Sequence, residues 1–211
     1  MRMGKQKSKN QDKNNEEGIA MDAVKIPRTR KIKKYNLKEF LAFVKNTEDR
    51  YELIEGRIYM MAAPSTEHQD IAGFIYRKIG NYLEGKPCKV FIAPLDVFLY
   101  SKTKKENCQN VFQPDVFVVC NKSKISQRGI NGAPDFVVEV TSPSNSEHDY
   151  IDKLNMYMRH DVKEYWIVNP ETRQIYVYAK SKPKNMSYTF EDKVKVGIFD
   201  DFEIDFKEMQ I

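Results

Sequence analysis

Residues 134–145 read PDFVVEVTSPSN. From Phe136 to Val140 the run has the composition of a central strand covered on both faces, yet it carries one carboxylate, Glu139. On a strand from Asp135 to Thr141, the side chains of Asp135, Val137, Glu139 and Thr141 share one face, and Phe136, Val138 and Val140 share the other. Glutamate is rarely buried alone, because removing its charge from water is costly unless a partner or a metal compensates. Glu139 therefore demands a compensating group.

Upstream, VFQPDVFVVC at 111–120 repeats the anomaly, with Asp115 at the head of an apolar run. Pro114 lacks a backbone donor, so the strand begins or bends there and leaves Asp115 near a sheet rim. Two acids on adjacent strands would converge at that rim. Convergent carboxylates suit a hard divalent cation such as Mg²⁺, whose other ligands are waters and phosphate oxygens. Downstream, a helix is expected over about 147–160 with Ile151, Leu154 and Met158 as its apolar stripe. Lys153 sits at the margin of that stripe beside Tyr157, on a stem long enough to reach inward.

The flanking segments complete a fold. Asn36 can cap a helix over LKEFLAFVKN, and YELIEGRIYMM reads as a hairpin turning at Glu55-Gly56. From Ser65 to about Glu84, Ile71, Phe74, Ile75, Ile79, Tyr82 and Leu83 form one helical stripe that Gly85 stops. KVFIAPLDVFLY and EYWIVN are further strand candidates; NPETRQ turns the latter into QIYVYAK, and one or two edge strands close the chain after Ser187. The sum is a mixed sheet with helices on its faces, an α/β or α+β domain.

The chain has 211 residues, 41% of them hydrophobic and 31% charged, and no apolar run approaches the ~20 residues that span a bilayer. A membrane protein is excluded on that reading. Lys and Arg outnumber Asp and Glu more than two to one over residues 1–34, whereas the remainder is net acidic. This segment lacks sustained apolar periodicity and is expected to be disordered, with the folded domain covering 35–211. It serves either as an arm that contacts phosphates without reading bases or as a solvated leader. The basic start lacks a secretory apolar core, and Cys88, Cys108 and Cys120 show no C-x-x-C spacing. A reducing cytoplasm is expected, with the cysteines as small buried thiols.

The order P-D115, E139-x-T, D152-K153-L-x-x-Y157 and EYWIV resembles the PD-(D/E)XK nuclease superfamily, specifically its restriction-endonuclease family known as Uma-two. The likeness extends upstream to Y51-E-L-I-E-G, P-S-T-E-H68-Q and A-P-L-D96-V, so it covers essentially Tyr35 to Tyr178. It implies a restriction-endonuclease-like fold, DNA as substrate and Mg²⁺ or Mn²⁺ as cofactor. Carried over by position, Asp115 and Glu139 would be metal ligands, with the backbone carbonyl of Val140 as a third. The superfamily's lysine stands two residues after the acid, where this chain has Thr141. The resemblance then assigns the lysine's role to Lys153, on the following helix. Glu52 is a further candidate for a metal ligand or supporting acid. His68, Gln113 and Tyr157 are candidates for orienting groups at the edge of the site.

The expected activity is metal-dependent hydrolysis of DNA phosphodiesters, and cutting both strands would favour a homodimer. A nucleic-acid-binding or regulatory module that keeps the fold without cutting is the alternative, which Thr141 leaves open. A two-carboxylate glycosidase is more remote, because the sequence shows no aromatic sugar-stacking cleft and places a lysine nearby.

Overall fold

The computed structural model describes residue 1 and residues 33–100, 110–142, 147–182 and 184–209. The expectations for most of the 1–34 tail and for Cys108 lie outside the described residues.

Three helices and fourteen short strands follow one another among the described residues. They are α1 (Leu37–Val44), β1 (Tyr51–Ile54), β2 (Arg57–Met60), α2 (Thr66–Tyr82), β3 (Lys89–Ile92), β4 (Val97–Phe98), β5 (Val111–Phe112) and β6 (Val116–Val119). Then come β7 (Ile125–Ser126), β8 (Gly129–Asn131), β9 (Phe136–Val140), α3 (Glu147–Arg159), β10 (Glu164–Asn169), β11 (Gln174–Ala179), β12 (Met186–Thr189), β13 (Lys193–Lys195) and β14 (Glu203–Asp205). The main sheet has the order β12-β11-β10-β9-β6-β3, a second has the order β2-β1-β5-β4-β8-β7, and β13 and β14 form a separate hairpin.

Local chemistry sets the element ends. Asn36 and Glu39 exchange hydrogen bonds as a capping box at the start of α1, and Ser65 Oγ accepts from His68 N at the start of α2. Glu55 and Gly56 both take positive φ, at 49° and 81°, the geometry a two-residue hairpin turn requires between β1 and β2. β9 and β10 are parallel neighbours, and such a pair needs a crossover, which α3 supplies.

The main sheet is covered on both sides. Val116, Val118, Phe136, Val138, Val140, Trp166 and Val168 pack toward α2 through Ile71, Phe74, Ile75 and Ile79. On the opposite face Phe117, Val137, Tyr165 and Ile167 meet Met156 and Tyr157 of α3 together with Val97, Phe112 and Ile130 of the second sheet. Glu139 lies on this second face, at the end of β9 from which the chain leaves for α3.

Three expectations are corrected. KVFIAPLDVFLY and VFQPDVFVVC are not single strands: each is divided between the two sheets, at Pro94 and Pro114 respectively. A proline cannot donate to a ladder, so each run leaves one sheet there and joins the other. The stripe read on α3 is also rotated. Ile151 is 56% exposed, while Lys153, Met156 and Tyr157 form the buried face. Two acids wait beneath that face, so the cation turns inward where an apolar residue was expected. Finally, Cys88 and Cys120 are joined as a disulfide and are not separate thiols. The pairing Lys89↔Val119 between β3 and β6 sets the two cysteines opposite one another at the end of the ladder.

Candidate active site

The compensating partners of Glu139 arrive from α3. Tyr157 Oη donates to Glu139 Oε1 at 2.8 Å, and Lys153 Nζ stands 3.3 Å from the same oxygen. Lys153 and Tyr157 are four residues apart, so one helix face presents both groups to one carboxylate. Lys153 Nζ also lies 3.0 Å from Glu52 Oε2. Glu52 is held in turn by the Gln113 backbone N–H, which donates to its Oε1 at 3.0 Å. A strand, a helix and the β1 hairpin thus close on one ammonium, and Glu52, Glu139, Lys153 and Tyr157 are all buried.

Asp115 occupies the rim at the bend before β6. Its Oδ2 accepts from the backbone N–H of Val140 at 2.8 Å and lies 3.1 Å from His68 Nε2. His68, in the first turn of α2, is buried, and its Nδ1 has no hydrogen-bond partner among the described residues. Glu52, His68, Asp115, Glu139, Val140 and Lys153 line a single cavity of about 130 Å³, with Arg50, Tyr59 and Met60 on its outer wall.

The electrostatics follow from burial. Desolvation, reinforced by the charges of Asp115 and Glu52, pushes Glu139 up from 4.5 to about 7 against the pull of Lys153 and the hydrogen bond from Tyr157. Burial alone would drive Lys153 down, but the charges of Glu139 and Glu52 overcome it and hold the ammonium far above its ordinary value. Lys153 therefore stays charged at neutral pH, whereas Glu139 holds a proton more tightly than a free carboxyl does. Burial also works against a charged His68; the hydrogen bond and charge of Asp115, the charge of Glu139 and the Val140 carbonyl outweigh it and raise the imidazole.

The donor set suits a hard cation. Among the described residues both hydrogen bonds to Glu139 end on Oε1, which leaves Oε2, the Asp115 carboxylate and the Val140 carbonyl as oxygen donors in one cavity. Among the described residues no three His, Cys, Asp or Glu side chains already surround a common point. Mg²⁺ does not need such a cage, since it keeps several waters and takes one or two carboxylates.

Most of the residues singled out in the sequence are brought together here. Asp115, Glu139, Val140, Lys153, Glu52 and His68 share the cavity, and Tyr157 supports it from behind. Gln113 is placed differently: its backbone holds Glu52, while its side-chain Nε2 donates to Asp96 Oδ1 at 2.9 Å. Sequence reasoning missed Arg50, Tyr59 and Met60. The only signal was their place at the two ends of the hairpin that carries Glu52.

The family described as "Uma2: Putative restriction endonuclease" matches residues 37–206. This chain belongs to the Uma2 family. A curated relative, "Uncharacterized protein slr1290" of Synechocystis sp., is 27% identical to this Uma2 protein over 149 residues, covering 70% of the chain and 75% of the relative. Among solved structures, a "putative nuclease belonging to DUF820 from Anabaena variabilis" is 20% identical, with a TM-score of 0.68. It covers 82% of this chain and 96% of its own, which establishes a shared nuclease-like fold for the mixed sheets and helices described above.

Proposed function

We propose that this Uma2 protein is a divalent-metal-dependent endonuclease that hydrolyses DNA phosphodiester bonds, with Asp115, Glu139 and the Val140 carbonyl holding Mg²⁺ or Mn²⁺ and Lys153 as the catalytic lysine. The observation that carries this reading is Lys153. Position 141, where a strand lysine would stand, holds Thr, and an ammonium from α3 reaches the same carboxylate at 3.3 Å. Two carboxylates and a lysine removed from water are costly to stabilise, and such clusters gather where a charge is needed for chemistry.

The cation would supply positive charge to the scissile phosphate and make a water acidic enough to attack near neutral pH. The chain's own groups do the rest. Glu52 and Glu139 keep Lys153 charged and aimed, so its ammonium can hold the attacking water or neutralise the extra charge on phosphorus. Tyr157 fixes the Glu139 carboxylate and leaves one oxygen of it uncommitted. At the mouth, Arg50 offers a charge to a backbone phosphate, and the partly exposed Tyr59 and Met60 offer faces on which a base can rest. With one such cavity per chain, cutting both strands would take two copies.

The test is cleavage of plasmid DNA with Mg²⁺, Mn²⁺ or a chelator. Metal-dependent nicking that Lys153→Ala and Asp115→Asn both remove is the expected result. DNA binding without cleavage under either metal would replace this reading with an inactive binding module on the same fold.

A further inference from the structure

The hairpin face that carries Glu52 continues beyond the catalytic cavity. In the register of β1 and β2, Glu52 stands opposite Tyr59 and Ile54 opposite Arg57, so these four side chains share one face. On α3, Asp152, Asn155, Met156 and Arg159 recur at helical spacing beside Lys153. Where hairpin and helix meet they enclose a depression of about 250 Å³. Ile54 and Tyr59 line both this depression and the catalytic cavity, so the two adjoin along one wall. From the Glu52–Tyr59 pair to the Ile54–Arg57 pair the hairpin advances two residues, about 7 Å, which matches about two nucleotide steps of a DNA strand.

The charges of the depression are balanced. Among the described residues Arg57 and Arg159 bring guanidinium groups to it, Glu55 and Asp152 bring carboxylates, and Asn155 brings an amide. A phosphate contact calls for an excess of positive charge, and the two acids remove that excess. A base edge calls instead for donors and acceptors side by side. Guanine fits this set best, since its O6 and N7 accept from a guanidinium while N1–H and the N2 amino group donate to a carboxylate. An unpaired base also offers a face for stacking, and Tyr59, 39% exposed, stands on the wall shared with the catalytic cavity. The contact to be displaced is weak. Arg159 pairs with Glu55 at 3.8 Å and both side chains are mostly exposed, so a base can take over that arginine at little cost.

We propose that this depression binds one unpaired base of the substrate strand, about two nucleotides from the scissile phosphate, and that guanine is the base it selects. Arg57 and Arg159 supply the donors for O6 and N7, Glu55 and Asp152 accept from N1 and N2, and Tyr59 stacks on the ring. This rests on the nuclease reading above for its substrate, and it adds a sequence preference seated outside the catalytic cavity.

Binding in the presence of a chelator reads this without catalysis. Fluorescence anisotropy of the full chain with short single-stranded thymidine oligonucleotides should show that one central guanine tightens binding about tenfold over adenine at the same place. A 7-deazaguanine, which lacks N7, should lose most of that gain. Arg57→Ala, Arg159→Ala and Asp152→Asn, all at exposed positions, should bring the ratio of the two affinities close to one. A wild-type chain that binds both oligonucleotides equally, or neither, overturns the base site. Arginine variants that weaken both oligonucleotides alike and keep the ratio also overturn it, and make the arginines phosphate contacts. Sequencing the ends that the wild-type chain produces from random DNA with Mn²⁺ should place guanine at one fixed distance from the cut. Cleavage without that preference overturns the base site and leaves the proposed nuclease intact, whereas guanine-selective binding without cleavage under either metal supports the site and removes the nuclease reading.

Discussion

Glu139 and Glu164 are two buried glutamates on adjacent parallel strands, 4% and 1% exposed, and they have opposite chemistry. Glu164 lies at the start of β10 on the α2 side of the sheet. Its Oε1 accepts from Trp166 Nε1 at 2.6 Å, and the backbone of Gly197 and Ile198 hydrogen-bonds to the same carboxylate. A Cβ on Gly197 would strike Glu164 Oε2, so glycine is what lets the main chain approach so closely. Burial raises Glu164, and these donors, together with the charge of Lys182, oppose the rise. Glu139 lies at the far end of β9 on the other face, is met by a buried lysine, and borders a cavity. Burial alone thus says little about function. What separates the two acids is whether a buried lysine pairs directly with the carboxylate and whether the carboxylate lines a cavity.

The largest expected effect separates activity from stability. Glu139→Gln should abolish detectable cleavage and remove Mn²⁺ binding while lowering the unfolding free energy by no more than about 1 kcal/mol, because Lys153 keeps Glu52 and the amide can still accept from Tyr157. Glu164→Ala should do the reverse. It leaves the Trp166 and Gly197 donors buried without an acceptor, at about 1–3 kcal/mol each, with Mn²⁺ affinity unchanged. Urea unfolding and calorimetry on both variants check the pair, and a Glu164 variant that lost metal binding would erase the distinction.

Lys153 sharpens the comparison next. The sequence put it at the margin of an apolar stripe, which would make Lys153→Ala silent for stability. At 8% exposure between two carboxylates it is a buried ion-pair partner, so its removal leaves two desolvated acids and should cost about 3–5 kcal/mol at neutral pH. A shift in the chemical denaturation midpoint measures it, and a shift near zero would place the side chain in solvent.

The last contrast is the pH slope. A carboxyl whose folded pKa is about 7 against an ordinary 4.5 binds its proton more tightly when folded. Its stabilising contribution is complete below about 4.5 and is lost as pH rises toward 7, because the unfolded chain ionises first and the folded chain must then hold a buried charge. Without metal, the wild-type chain should lose stability over that window relative to Glu139→Gln, and Mn²⁺ should reduce the loss. Equal slopes in the two proteins would show that Glu139 is ionised throughout.

Several features were legible from the chain because they depend on local chemistry. Asn36 and Ser65 cap their helices, Glu55-Gly56 turns its hairpin, and the apolar runs around Val118 and Val138 become covered strands. The anomaly of Glu139 was visible in the same way, since an acid in such a run needs a partner wherever the run ends up. Pairing across distance was not legible. Whether a proline bends a strand or passes it to another sheet depends on which ladder accepts the next residues, and periodicity does not encode that. Cys88 faces Cys120 only because β3 lies beside β6 in one register. The inward turn of Lys153 followed the same logic, for the helix rotated toward charges that other segments had buried.

The sequence by itself determined the element types, the anomalous acids at Asp115 and Glu139, and the family, because residue type and short-range order carry all three. Only the tertiary structure decided that Glu52, His68 and Lys153, drawn from a hairpin and two helices, close on those acids. Electrostatic interaction depends on distance in space, and positions 52, 68 and 153 become neighbours only when the two sheets and both helices are packed.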